Sequence, residues 1–390
     1  MTGRSASPPR HIVVIGAGPA GFRAAQELRA LGYDGELTMV GDEPHRPYRR
    51  PPLSKELLVG PVDVLLPGTE TLDARWLLGQ PATGLDLRHR RVLRGQLPAV
   101  PFDTAVVATG VRARRPAAIP ALAGIHTLRS LDDALALRAE LSHRPTVVVA
   151  GAGFVGSEIA ATLRGLGLAV TLVGREPVPL HRALGVRLGR MVARTHREHG
   201  VDLRLGRTVV GVSGAGRVEQ VRLDDGTALP ADLLVLALGA EPNTEWLRGS
   251  GLRIDDGVVC GPDGLAAPGV AVAGDVARWP HPLLVGELVR VEHHSNAVDQ
   301  GTFAARALLD PARHRRFASV PSFWTHLYDR RVQSVGFTGA AYDLRIVEGE
   351  PEGRFLAEYR RHGRLIGAVT VGLVRRLAAC RHQLSEEIES

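Results

Sequence analysis

The sequence predicts an α/β protein in which one strand–turn–helix fold occurs twice, the second copy inserted into the first, with a further α/β segment at the C-terminus. Three observations predict it. Ile12 to Ile15 is an apolar run of strand length that leads directly into Gly16-x-Gly18-x-x-Gly21. The same arrangement returns 135 residues later, where Val147 to Ala150 leads into Gly151-x-Gly153-x-x-Gly156. The strand that completes the first fold, Val270 to Asp275, comes only after the second copy.

Each element follows from local chemistry. In the first copy, Ala24 to Leu31 has helical composition and Glu36 to Val40 reads as the next strand. Gly16 permits the tight turn, Gly18 lets a pyrophosphate approach the backbone, and Gly21 lets helix and strand pack closely. The phosphates then face a helix N-terminus. Asp42 or Glu43 follows where a ribose hydroxyl needs an acceptor. These are the features of a Rossmann-like dinucleotide-binding fold.

In the second copy, Ser157 to Leu166 is the helix and Ala169 to Val173 the following strand. There Gly174-Arg175-Glu176 stands where the acid is expected at position 174. Arg175 suits a 2′-phosphate, whereas Glu176 suits a ribose hydroxyl, so NADPH and NADH both remain open. Two such folds imply two nucleotides, a flavin dinucleotide and a nicotinamide dinucleotide. Asp103 to Gly110 closes the first segment, and Leu233 to Gly239 is its counterpart after the second. Asp275 ends its strand where a ribityl hydroxyl needs an acceptor, with a helix expected to start there.

At 390 residues, two or three domains are expected. The polar start, Met1 to Arg10, holds no apolar core of a secretory signal, and no stretch reaches transmembrane length. Cys260 and Cys380 are far apart and fit no CxxC or CxxxxC pattern. They read as free thiols in a reducing cytoplasm, and no metal site is assigned. The net charge of +7 and pI of about 10.1 suit an acidic partner. Spread along the chain, this charge speaks against a nucleic-acid role, and no membrane role is assigned. Of the 48 basic residues only Lys55 is a lysine, which marks it as a position where Arg does not serve.

The segment from Gly41 through Lys55, GDEPHRPYRRPPLSK, is the most specific string in the chain. With Ala108-Thr109-Gly110, Gly239 to Asn243, Val291 to Ala297 and Phe323-Trp324, it resembles the FAD-dependent pyridine nucleotide reductases. The branch it resembles is that of the ferredoxin reductases serving oxygenases and cytochromes P450, and the likeness covers the chain from about Pro9. It implies an FAD-binding domain in two pieces, 10–115 and 241–315, an NAD(P)-binding domain at 116–240, and a C-terminal domain at 316–390.

The resemblance implies FAD contacts at Gly16, Gly18, Ala20, Gly21, Asp42, Lys55, Ala82, Arg129, Asp275 and His294. It extends the set to Glu43, Arg50, Ala108, Thr109, Gly110, Gly274, Glu292, His293 and Trp324. Gly151, Gly153, Phe154, Val155, Gly156, Gly174, Arg175 and Gly239 are implied for the nicotinamide nucleotide. Lys55 is expected at the reactive edge of the flavin, paired with Glu158. Trp324 either covers the nicotinamide or belongs to the core. Two departures stand out: His294 replaces a usual aromatic, and Thr370 to Val374 replaces a more polar segment.

The implied reaction is hydride transfer from NADH or NADPH to FAD, then electron delivery to an acidic 2Fe–2S ferredoxin or a rubredoxin, by a monomer or weak dimer. With no cysteine before Cys260, a dithiol relay in the first domain is excluded. The alternative is a flavoprotein resembling apoptosis-inducing factors, whose nucleotide-dependent state controls partner binding.

Overall fold

A computed structural model describes residues 9–310 and 316–389. Most of the polar start, Met1–Pro8, therefore lies outside the described residues. Tertiary contacts divide the chain into two compact units. The first comprises Met1–Arg49, Val64–Val111 and Pro242–Pro321; the second comprises Arg50–Asp63, Arg112–Glu241 and Ser322–Ser390. The sequence expectation of three domains thus meets a grouping in which the C-terminal segment falls with the second copy. The short stretch 50–63 also leaves the first fold and joins the second unit.

The first unit is built on a six-stranded sheet. Its order is Leu265–Ala267, Val270–Val272, Thr104–Val107, His11–Ile15, Glu36–Val40, Arg75–Leu77. All neighbours are parallel except the first pair. The interior strands are apolar runs because both faces are covered. The helices Pro19–Ala30 and His294–Leu309 pack with Ile12, Val14, Met39, Val106 and Ala271 into one core. They approach so closely that a Cβ on Gly301 would stand 2.3 Å from the Ala20 carbonyl oxygen.

The second unit has a five-stranded parallel sheet, in the order Asp202–Leu205, Val170–Gly174, Val147–Ala150, Leu233–Leu236, Ile125–Thr127. An antiparallel three-stranded sheet, Val209–Ser213, Gln220–Leu223 and Ala228–Pro230, contributes Val221, Leu223 and Leu229 to its core. The C-terminal part is an antiparallel sheet in the order Ser322–Leu327, Arg330–Gly336, Arg364–Val371, Phe355–Arg361, Asp343–Gly349, followed by the helix Val374–Glu389. The departing segment at Thr370 is structural there: its buried hydroxyl donates to the Phe355 carbonyl at 2.6 Å.

Two helix expectations are corrected. The first helix starts at Pro19, not Ala24, because Gly18 supplies an extended cap and Pro19 a preset φ at the first position. No helix starts at Asp275. Gly274–Val276 is a single 3-10 turn, followed by the strand Ala277–Pro280, and a full helix begins only at His294. The strand itself ends at Val272, because Gly274 adopts φ +79°.

Candidate functional site

In the first unit, the turn after His11–Ile15 is fixed by sterics. Gly16 has φ +113°, and a Cβ there would lie 2.1 Å from the Ala108 carbonyl oxygen. A Cβ on Gly21 would lie 2.0 Å from the Gly16 carbonyl oxygen. At Gly18 nothing stands within 4 Å, and no side chain caps the helix that follows. The helix N-terminus is therefore open to an anion, and the backbone leaves room for a pyrophosphate. The residues present fit a dinucleotide.

Ala108, Thr109 and Gly110 are held by the loop of Asn243. The Thr109 hydroxyl donates to the Asn243 carbonyl at 2.9 Å, and the Asn243 amide donates back to the Thr109 carbonyl at 2.9 Å. The Asp42 carboxylate accepts from the Glu43 N–H at 3.0 Å, while the Glu43 carboxylate accepts from the Tyr48 hydroxyl. Asp42 is thus the acid directly after Gly41, with Glu43 engaged one residue on. The pKa of His294 is lowered, chiefly by burial, against the opposing charge of Asp275 and with a smaller contribution from Arg49. His293 is pushed down to about 4, again by burial against the charge of Asp275. Glu292 is exposed and bonds Arg290 at 2.6 Å, and Ala82 is half-buried.

The second turn repeats the first. Gly151 has φ +111°, and a Cβ there would meet the Ala237 carbonyl oxygen at 2.1 Å. One on Gly156 would meet the Gly151 carbonyl oxygen at 1.8 Å, whereas Gly153 has nothing within 4 Å. The helix Phe154–Gly165 has no side-chain cap. Gly151 to Phe154, Gly174 to Glu176 and Gly239 line one cleft of about 460 Å³, with Arg182 and Arg207. Val155, the next residue, is 41% exposed, and the Phe154 ring meets Phe323 edge-on at 4.7 Å.

At position 174, where the acid is missing, packing leaves no room for a side chain. Gly174 packs as Gly41 does: a Cβ at Gly174 would lie 2.7 Å from the Ala152 Cβ, and one at Gly41 2.9 Å from the Ala17 Cβ. Gly174 is thus the counterpart of Gly41. Arg175 stands where the first fold has Asp42.

Lys55 lies in the second unit with Glu158. Its Nζ donates to Glu158 Oε2 at 2.6 Å and to the Pro51 carbonyl at 2.9 Å. Glu158 is 7% exposed and is satisfied by two further donors, the Ser54 hydroxyl on Oε2 at 2.6 Å and the Thr325 hydroxyl on Oε1 at 2.7 Å. A buried pair is stable only when its remaining lone pairs and protons are bonded, as they are here. Sequence reasoning paired Lys55 with Glu158 but missed Ser54 and Thr325. Ser54 adjoins Lys55 in its motif, whereas Thr325 lies 167 residues from Glu158 and carried only the alternation of its strand as a signal.

That alternation decides Trp324. Thr325 points inward, and Trp324 is 37% exposed, so Trp324 is not a core residue. Arg50 donates to the Arg129 carbonyl at 2.6 Å, and the Arg129 N–H is taken by Asp133 at 2.8 Å within the capping box of the next helix. Arg50, Lys55 and Arg129 therefore belong to a different unit from Gly16, Asp42, Asp275 and His294.

Both cysteines are buried. Burial pushes the Cys260 thiol up to about 12, helped by Asp263, and also raises the Cys380 thiol. Neither is a reactive thiolate. No helix among the described residues is long and apolar enough to cross a membrane.

Residues 10–301 match the pyridine nucleotide-disulphide oxidoreductase family, and residues 322–390 match the reductase C-terminal family. Rhodocoxin reductase of Rhodococcus erythropolis is 37% identical over 97% of this chain and 90% of its own length. The ferredoxin–NAD(+) reductase component of the biphenyl dioxygenase system of Paraburkholderia xenovorans is 36% identical over 83% of this chain and 80% of its own. The solved covalent complex of putidaredoxin reductase with putidaredoxin matches at a TM-score of 0.91 and 29% identity, covering 98% of this chain and 94% of that one. The chain belongs to the pyridine nucleotide-disulphide oxidoreductase family, in its ferredoxin reductase branch.

Proposed function

We propose that the chain is an FAD-dependent NAD(P)H:ferredoxin reductase that passes electrons to an acidic 2Fe–2S ferredoxin, or a rubredoxin, serving an oxygenase or cytochrome P450. In this reading 10–115 and 241–315 form the FAD-binding domain, 116–240 the nicotinamide domain and 316–390 the C-terminal domain. The doubled glycine turn is the observation that carries it: two open, uncapped helix N-termini in a chain whose two thiols are buried.

Bound FAD supplies the conversion between a two-electron hydride donor and one-electron carriers. The turn at Gly16, Gly18 and Gly21 would hold the FAD pyrophosphate, with Asp42 as the acceptor for its ribose and Asp275 for its ribityl chain. Ala20, Glu43, Ala82, Ala108 to Gly110, Gly274, Glu292, His293 and His294 would complete that cradle; Arg50 and Arg129 are further candidates for FAD contacts. The turn at Gly151, Gly153 and Gly156 would hold the nicotinamide nucleotide with Phe154, Val155 and Gly239, and Trp324 would be placed to cover its ring. Glu158 pairs with Lys55 at 2.6 Å, and that side chain would lend positive charge to the reactive edge of the flavin. Since neither cysteine serves as a relay, electrons leave to an external protein, and the +7 chain steers an acidic one. Buried free thiols suit a reducing cytoplasm, where the chain acts as a monomer or weak dimer.

Anaerobic titration of the purified flavoprotein with NADH and with NADPH tests this. Flavin absorbance is expected to bleach with one of them, and cytochrome c reduction to depend on added ferredoxin. If neither nucleotide bleaches the flavin, the proposal fails.

A further inference from the structure

We infer that the ribose end of the second cleft is a site for a phosphate monoester, so that the electron donor is NADPH; this rests on the nicotinamide assignment of that cleft above. The backbone makes the site. Gly174 is pressed against Ala152 and cannot carry a side chain, so the first residue able to face a ribose is Arg175. The Arg207 N–H donates to the Gly174 carbonyl at 3.0 Å and the Gly206 N–H to the Glu176 carbonyl at 3.2 Å, which sets Arg207 alongside. Arg182 comes from the helix His181–Glu198. All three guanidiniums line the cleft that contains Gly153.

Glu176 is the lining carboxylate that a ribose diol would use, and its Oε1 already accepts from Arg182. Its Oε1 lies 3.2 Å from Arg182 Nε and 3.6 Å from Arg175 Nη2, and its Oε2 lies 3.4 Å from His181 Nδ1. Arg207 is held by Asp225 at 2.6 Å. These three guanidiniums against Glu176 and Asp225 leave one positive charge over, since Arg114, which also lines the cleft, is paired with Glu241. Arg175 and Arg182 are 69% and 74% exposed, so their ion pairs with Glu176 are weak and exchange readily for a ligand that offers more negative charge than Glu176 does. A phosphate monoester brings roughly −1.5 to −2 charges and three acceptor oxygens, which a guanidinium binds in bidentate fashion. A plain ribose leaves the surplus charge unanswered.

Calorimetric titration of the purified flavoprotein with 2′,5′-ADP and with 5′-AMP tests this without catalysis. We expect 2′,5′-ADP to bind at least tenfold more tightly, and Arg175→Ala with Arg182→Ala to abolish that margin. In turnover, kcat/KM for NADPH is expected to exceed that for NADH, and the ratio to fall at least tenfold in Arg175→Ala. Equal or tighter binding of 5′-AMP by the wild type overturns the inference, as does an unchanged ratio in a folded Arg175→Ala variant. A flavin that NADH bleaches more efficiently than NADPH overturns it too, while leaving the reductase reading intact. A flavin that neither bleaches overturns that reading instead.

Discussion

At Gly16 and Gly151 an added Cβ would stand 2.1 Å from a carbonyl oxygen of the neighbouring strand end, and at Gly21 and Gly156 it would strike the turn itself. Gly18 and Gly153 alone have open space in front of them. The two folds therefore share one stereochemical plan, down to Ala17 and Ala152 against Gly41 and Gly174. They part in charge. After the second strand the first fold has Asp42 and the second Arg175. Seven residues past the first turn glycine, one helix carries Arg23 and the other Glu158. Arg23 is 38% exposed and bonds Glu27 and Thr302, whereas Glu158 is buried under Lys55, Ser54 and Thr325. Sterics thus preserve the turn, while the charges placed around it set what each fold does.

The largest break in the comparison is expected at that helix position. Glu158→Leu leaves Lys55 without its counter-charge in a buried site and should cost about 3–5 kcal/mol. Arg23→Leu should cost about 1 kcal/mol or less, since Glu27 keeps Arg306 at 2.8 Å. Adding Lys55→Met to Glu158→Leu should restore most of the loss. Urea unfolding of the four proteins measures this, and equal costs at positions 23 and 158 would remove the distinction.

Next come the turn glycines. Gly16→Ala and Gly151→Ala each meet a left-handed backbone and a carbonyl contact, together about 2–5 kcal/mol. The two variants should lose similar stability yet differ in phenotype: the first sheds FAD, the second keeps it and loses nucleotide-driven bleaching. Absorbance of the purified variants separates these outcomes. If both shed FAD, the two folds are not functionally distinct.

How much of this was legible in the sequence depended on range. The glycine turns, their strands and the Lys55–Glu158 pair are carried by short spacings or by one dense motif. Helix starts were missed where glycine and proline act together, as at Gly18-Pro19. The 3-10 turn at Gly274 was missed because a backbone at positive φ leaves no mark distinct from any other glycine. That position 174 has no room for a side chain was not legible, because the clash with Ala152 belongs to packing, not to spacing. Thr325 and Arg207 reach their partners only through the completed fold.

Acid is expected to weaken the second unit by a smaller amount. His196 in the helix His181–Glu198 is fully buried, with Nδ1 at 2.9 Å from the Tyr328 hydroxyl, and burial with the nearby His199 lowers its pKa to about 4. The folded value lies below the unfolded one, near 6.5. Its contribution is therefore fully present above pH 6.5 and is lost as pH falls from 6.5 to 4, by at most about 3 kcal/mol. Hydrogen exchange at pH 7.5 and 5 should show weaker protection of that helix at the lower pH. His196→Asn should flatten the difference, and an unchanged pH response in that variant would assign the effect elsewhere.

The smallest effect on stability, and the sharpest comparison, is expected at the open glycines. A methyl at Gly18 or Gly153 meets no protein atom within 4 Å, and both residues have extended backbones that alanine adopts readily. Each Gly→Ala change should therefore move the unfolding midpoint by about 1 kcal/mol or less, the loss of a cap-compatible glycine included. Any large functional loss must then come from the ligand side, where the methyl occupies the space a pyrophosphate needs. Gly18→Ala should weaken FAD retention, read by dialysis and residual flavin absorbance. Gly153→Ala should leave flavin content intact and raise the nucleotide concentration for half-bleaching about tenfold. A Gly153→Ala protein with unchanged nucleotide dependence would show that the second turn does not hold the donor's phosphates, while leaving the first turn's assignment standing.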